Sequence, residues 1–269
     1  IWNTAPGAYV ILEHLTENSE EKVLAEYGML LWGNMNYTYL EASMGYNANS
    51  DFSGISYKNR SWNEPHLVGY MESHDEERMM YKNITYGNGT AVYDITQEEI
   101  ALRRAELSTL FFLTVPGPKM IWQFGEMGYD YSIEYDCRVC EKPIRWDYLE
   151  EDGRRHLYNF YSQLIALRNS SDLYQTNNFS MNVAGNVKSI TLEHNGDKTI
   201  IFGNFDVETQ TYTPDLGGFT NWYNFFEGGT EIGGDTTFTL EPGQYRLLTT
   251  NMTITPEYPN FPEARNVYI

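Results

Sequence analysis

The sequence predicts an α/β fold, about half of a (β/α)8 TIM barrel followed by an all-β sandwich domain, and three observations carry that expectation. Residues 1–168 alternate apolar strand-like runs with amphipathic helix-like segments, the pattern of strand–helix units with right-handed crossovers on a parallel sheet. Residues 171–250 switch to short β-branched or alternating runs divided by turn signals, without helical period. Two apolar runs also end abruptly in charge. Ala8-Tyr9-Val10-Ile11-Leu12 runs into Glu13-His14, and Leu67-Val68-Gly69-Tyr70-Met71 runs into Glu72-Ser73-His74-Asp75-Glu76-Glu77-Arg78. A strand end that emerges into polar residues is where barrel enzymes place catalytic groups. A closed barrel needs eight strands and about 250 residues, and this chain offers four units before residue 169.

The elements follow in order. Tyr9–Leu12 reads as a strand, and Asn18 with Glu21 three positions on signals a capped helix through about Tyr27. Gly28–Trp32 is a second apolar strand, with a helical or irregular stretch near Tyr37–Met44 and a Gly-, Asn-, Ser- and Tyr-rich loop over 45–64. His66–Met71 is the third strand. Thr96-Gln97-Glu98-Glu99 reads as a capping box, with Ile100, Leu107, Leu110, Phe111 and Thr114 at helical spacing behind it. Pro116-Gly117-Pro118 stops that helix, and Lys119–Trp122 is the fourth strand. Leu157, Phe160, Tyr161, Leu164 and Arg168 share one stripe of a last helix, which places a boundary near residue 170. In the β domain, Lys188–His194 and Lys198–Phe202 flank Asn195-Gly196, the residue pair of a type I′ hairpin turn. Leu240–Leu248 reads as a turn and a closing strand, and 251–269 as a surface tail.

The net charge of −19 and pI near 4.5 exclude nucleic acid and anionic membrane surfaces as natural partners, since both require a positive field. No run approaches about 18 consecutive apolar residues, so no membrane-spanning segment is expected. Aromatic residues make up 15% of the chain, with 22 Tyr, 13 Phe and 6 Trp. Such rings serve core packing, and they also pack flat against the C–H faces of sugars. Cys137 and Cys140 could form a redox pair, half of a zinc site, or two idle thiols; with no second pair present, a structural or incidental role is expected. The chain begins Ile1-Trp2, so it is expected to be processed or cut from something longer.

Glu13 and Asp75 each stand beside a histidine at the end of an apolar run. Paired carboxylates suit glycoside hydrolysis: one protonates the leaving oxygen while the other answers the positive charge that develops on the sugar. At this point Val10-Ile11-Leu12-Glu13-His14, Gly28–Gly33, Tyr70-Met71-Glu72-Ser73-His74-Asp75 and Pro116–Glu126 together resemble the fifth to eighth barrel strands of the α-amylase superfamily, glycoside hydrolase family 13. The trailing helix and β domain resemble that family as well.

The resemblance implies the second half of the (β/α)8 barrel followed by the family's β-sandwich domain. It also implies a retaining glycosidase acting on α-1,4-glucans such as starch and maltooligosaccharides. Glu13 would be the general acid/base, kept protonated by partial burial and neighbouring carboxylates. Asp75 would stabilise the oxocarbenium-like transition state, His74 would bind hydroxyls of the sugar being cleaved, and His14 and Trp32 would line neighbouring subsites. The family's nucleophile, an Asp in a Gly-x-Arg-x-Asp context, and its Asp-x-x-x-Asn-His segment are both absent. The nucleophile is therefore expected upstream of Ile1, and the chain alone is expected to be inactive. No cofactor is expected in this chain, and the family's calcium is expected in upstream segments of a full-length protein. A half-barrel leaves apolar strand edges open, so the missing N-terminal half, or a second copy, is an expected partner.

The Ser-His-Asp-Glu-Glu-Arg segment also resembles glucan-branching enzymes, which keeps glucan transfer as an alternative. A non-catalytic carbohydrate-binding relative is the rival from another class, and a redox or metal protein built on the cysteines is a third. The acidic, Lys-poor, Asn- and Tyr-rich composition suits a secreted, periplasmic or cell-surface protein.

Overall fold

Three short apolar runs form the parallel sheet on which the first part of the chain is built. The computed structural model describes residues 1–219, 221–232 and 237–252, so the expected tail lies outside the described residues from 253 onward. Strand β1 (Ile11–Leu12) pairs in parallel with β2 (Leu30–Asn34), which pairs in parallel with β3 (Leu67–Tyr70). β3 is buried along its whole length, as a strand covered on both faces must be. Between these strands lie α1 (Asn18–Glu26) and α2 (Asn36–Met44), and after β3 come α3 (Met79–Tyr86), α4 (Glu98–Thr114) and α5 (Asp152–Ser170). Helix α4 buries nearly every residue from Ala101 to Thr114. It is the central packing element, with α2, α3 and α5 against it.

Three sequence expectations need correction. Lys119–Trp122 does not form a fourth strand: it makes a single parallel bridge, Lys119 to Gly69, with Gly69 N donating to Pro118 O and Met120 N to Gly69 O. The segment is pulled out of the sheet at both ends. Lys119 Nζ folds back onto the carbonyls of Val115 and Gly117, and Gly125 N closes a turn onto Trp122 O. The two expected capping residues do not cap. Asn18 donates to Arg60 O and accepts from Trp62 Nε1, and Thr96 binds Asp94, so the helices begin behind Glu17 and Gln97 without a side-chain cap. Other partners outcompete the local capping bond in both places. β2 also starts two residues later than its apolar run, because Gly28, at φ 107, is the turn that precedes it.

The remainder is antiparallel. β4 (Phe179–Asn182), β5 (Val187–His194), β6 (Asp197–Asn204), β7 (Gln210–Tyr212), β8 (Trp222–Asn224), β9 (Thr230–Ile232), β10 (Phe238–Leu240) and β11 (Tyr245–Thr249) follow in order. They make a six-stranded sheet ordered β4-β5-β6-β11-β8-β9 and a two-stranded ribbon, β10-β7. Asn195 and Gly196 both have positive φ, 51° and 90°, as the predicted hairpin turn demands. Alternation decides the layers. Ile200, Phe202 and Leu248 face the ribbon together with Trp222 and Leu240, whereas Ile190, Leu192, Ile201 and Leu247 join the large apolar cluster that includes α4 and α5. The helical part and the sheet therefore share one core. Among the described residues no helix is long and apolar enough to cross a membrane.

A polar latch sits at that shared boundary. Glu106 of α4 lies 3.1 Å from His156 Nε2 of α5 and accepts from Tyr245 Oη of β11 at 3.4 Å. Burial disfavours the His156 imidazolium and nearby Arg103 opposes it, but the hydrogen bond and charge of Glu106 outweigh both and hold the pKa above its usual value. A histidine whose folded pKa is raised contributes stability that is complete below its unfolded value, about 6.5, and lost as the pH rises through the folded value. Urea melts are expected to show a loss on the order of 1 kcal/mol or less between pH 6 and pH 8.5. His156→Gln should abolish that difference, and an unchanged difference would remove the latch as its origin.

Candidate active site

The parallel register brings the C-terminal ends of β1, β2 and β3 to one edge of the sheet, since Leu12 pairs with Leu31 and Asn34 with Tyr70. Glu13 follows β1 directly, and the Ser73–Asp75 turn follows β3 after two residues. Glu13, His74 and Asp75 consequently meet, with one polar atom of each within 4.8 Å of the others, and all three side chains are exposed. His74 Nε2 lies 3.4 Å from Asp75 Oδ2. Among the described residues this is where three such groups gather.

Aromatic rings flank the trio. Trp32 of β2 meets His74 edge-on at 6.1 Å between ring centroids and Tyr70 at 5.6 Å. On the other side Trp122 lies 6.0 Å from His74. Trp122 was not singled out by sequence, although it ends an apolar run much as Trp32 does. Tyr70 lies buried beneath the carboxylates. Burial first, then the charges of Glu76, Glu13 and Asp75, hold its phenol well above the ordinary value, so it stays protonated. His14 does not join the group: it pairs with Glu20 at 2.9 Å.

The turn that carries His74 and Asp75 is clamped from three sides. Arg78, itself 3% exposed, donates from Nη1 to the carbonyls of Ser73 and Glu76. From the β2 side, Asn34 donates to Glu76, and Asn36 donates to Met71 O at 2.7 Å and Glu77 O at 2.9 Å. Ser73 Oγ donates to Glu76 and accepts from Asp75 N. From the third side, Glu77 accepts from Ser132 Oγ and Ile133 N, both at 2.8 Å, and Arg138 Nη2 reaches Asp75 O at 2.6 Å. Arg138 stands between Cys137 and Cys140, which are joined as a disulfide. The bond leaves neither cysteine an idle thiol or a free zinc ligand. Beneath the turn, Glu72 accepts from Met79 N and thereby starts α3. Burial pushes its carboxyl up against the opposing pull of Arg78 and that bond, and burial also pushes up Glu126.

One expectation for the site changes. Glu13 is exposed, so this chain's own residues do not supply the burial expected around it. A calcium ion takes about six to eight oxygen ligands, and the trio offers two carboxylates and one imidazole. The donor set does not fit calcium. It does fit proton transfer and stabilisation of positive charge, because carboxylates this close to each other and to a histidine favour both.

No known family model matches the chain. A cyclomaltodextrinase of Thermoanaerobacter pseudethanolicus is 27% identical over 136 residues, covering 50% of this chain and 20% of that protein. Among solved structures, the α-amylase of Geobacillus thermoleovorans complexed with acarbose superposes with a TM-score of 0.68 at 14% identity, covering 92% of this chain and 54% of that one. The type III pullulan hydrolase of Thermococcus kodakarensis superposes with a TM-score of 0.67 at 20% identity, covering 92% and 41%. The chain thus spans about half the length, or less, of the proteins it matches. Its fold is that of the C-terminal part of an α-amylase, an open portion of the barrel with the trailing β domain.

Proposed function

We propose that this chain is the C-terminal half of a retaining α-amylase-type glycoside hydrolase acting on α-1,4-glucans, with Glu13 as general acid/base and Asp75 as the carboxylate that stabilises the transition state. The observation that carries the reading is the convergence of Glu13, His74 and Asp75 within 4.8 Å at the C-terminal edge of a parallel sheet. Glu13 protonates the glycosidic oxygen, and Asp75 holds sugar hydroxyls and opposes the charge that grows at the anomeric carbon. His74, between the Trp32 and Trp122 rings, donates to a hydroxyl of the sugar being cleaved. The paired rings offer the faces on which a pyranose packs.

The chain has no Gly-x-Arg-x-Asp segment. In this reading the nucleophile belongs to the other half of the barrel, as does any calcium, and the chain cleaves nothing by itself. The outer edge of β1 supports this, because that strand has no partner beyond β2 among the described residues, and Tyr9 beside it is 87% exposed. The test is maltooligosaccharide cleavage by this chain beside a form extended upstream through the rest of the barrel. Cleavage in the extended form alone supports the reading, and cleavage by the short chain overturns the placement of the nucleophile. Glucan transfer uses the same first step and gives lengthened or branched products in place of reducing ends. Sugar binding without turnover in either form would favour a carbohydrate-binding protein.

A further inference from the structure

We infer that Arg138 is a positioning residue for the His74–Asp75 turn and that the Cys137–Cys140 disulfide keeps it there, which makes the turn responsive to dithiol reductants. Its importance for catalysis rests on the reading of Asp75 above, whereas the geometry does not. Arg138 lies inside the small ring the disulfide closes. One guanidinium nitrogen donates to Asp75 O at 2.6 Å and the other to Glu134 Oε1 at 3.0 Å. The ring is braced from below, where Lys142 Nζ donates to the carbonyls of Tyr135, Cys137 and Cys140 at 3.1, 2.6 and 3.1 Å. Asp136, just before the ring, holds a left-handed φ of 63°, a conformation aspartate adopts more readily than most non-glycine residues.

The physical argument concerns entropy. The Arg138 side chain is 52% exposed, and ordering a long exposed side chain costs roughly as much entropy as its hydrogen bond returns. Such a bond persists when the backbone that carries it is already fixed, and the disulfide supplies that fixation. Glu77 anchors the same loop at Ser132 and Ile133, so the disulfide governs only the distal arm. On reduction the S–S bond breaks, each sulfur gains one electron and one proton to become a thiol, and the dithiol reductant closes to its own disulfide. Both cysteines are partly accessible to such a reagent. Arg138 then leaves Asp75 O, while the Glu77 anchor remains.

Amide hydrogen exchange of the 269-residue chain, read for the peptide 73–78, decides the matter without any glucan. Thiol titration confirms the redox state, and a Cys137→Ser/Cys140→Ser variant serves as the permanently open form. Reduction and Arg138→Ala are each expected to speed exchange of that peptide about tenfold, and together no more than either alone. Arg138→Lys in the oxidised protein should recover part of the protection. If reduction loosens 134–141 and leaves 73–78 unchanged, or if the two effects add, the inference falls. Absence of glucan cleavage by the upstream-extended form would sink the proposed function and leave this result standing.

Discussion

On the proposed assignment, Glu13→Gln in the upstream-extended protein is expected to lower kcat for maltooligosaccharides by about 10²- to 10⁴-fold, the range that a positioned proton donor contributes. The substitution keeps the size of the side chain and its capacity to hydrogen-bond a sugar hydroxyl, so KM should move little. What it removes is the proton delivered to the departing oxygen. A glucoside with an acidic phenol as leaving group needs no such proton, and with that substrate most of the deficit in the bond-breaking step should disappear. Asp75→Asn behaves differently. It removes a negative charge facing the oxocarbenium-like centre, whatever the leaving group, so an activated substrate should not rescue it. The contrast separates the two carboxylates in a way that loss of activity alone cannot. If Glu13→Gln retains full activity, or if the activated substrate rescues Asp75→Asn and not Glu13→Gln, the assignment of roles is wrong.

How much of this was legible in the sequence depended on the range of the forces involved. His66–Met71 predicted a strand, and Leu67–Tyr70 forms one, because a fully buried strand needs only a continuous apolar run. The Asn195-Gly196 hairpin was equally legible, since its turn chemistry is carried by two adjacent residues. The gathering of Glu13, His74 and Asp75 follows from one local rule applied twice: an apolar run broken by charge. The rule could not show that His14 turns away to Glu20. Long-range partners account for most of the failures. Asn18 looked like a helix cap but is engaged by Arg60 and Trp62, more than 40 positions later. Helix α3 starts at Met79, whose N–H donates to Glu72 seven residues upstream, a partner that no capping motif places. Arg138, in a surface loop with two cysteines, gave no local hint that it reaches Asp75 O.

Arg104→Met is expected to cost roughly 3–5 kcal/mol of folding stability, because it strips the donor from several buried backbone carbonyls at once. Arg104 is completely buried in the middle of α4. Its guanidinium donates to Ser43 O at 2.8 Å and Ala42 O at 2.7 Å, at the end of α2. It also donates to Phe205 O at 2.7 Å and to Asn204 O and Asp206 O at 3.3 Å, where the chain leaves β6. One side chain thus satisfies carbonyls of the barrel portion and of the β sheet together. Arginine suits the position because its five N–H groups form a rigid planar fork. Lysine offers three donors on a flexible stem, so Arg104→Lys should lose much of the same stability. Methionine fills the volume but leaves the carbonyls without donors in a site closed to water, each a cost of about 1–3 kcal/mol before relaxation. The neighbouring Arg103 supplies the control. Its pairing with Glu99 at 3.1 Å lies on the partly exposed face of the same helix, where such pairs contribute about 0.5 kcal/mol. Urea melts of Arg104→Met and Arg103→Ala should therefore differ by several kcal/mol. Comparable values for the two would mean that the apolar cluster shared by α4, α5 and the sheet joins the parts without help from the arginine.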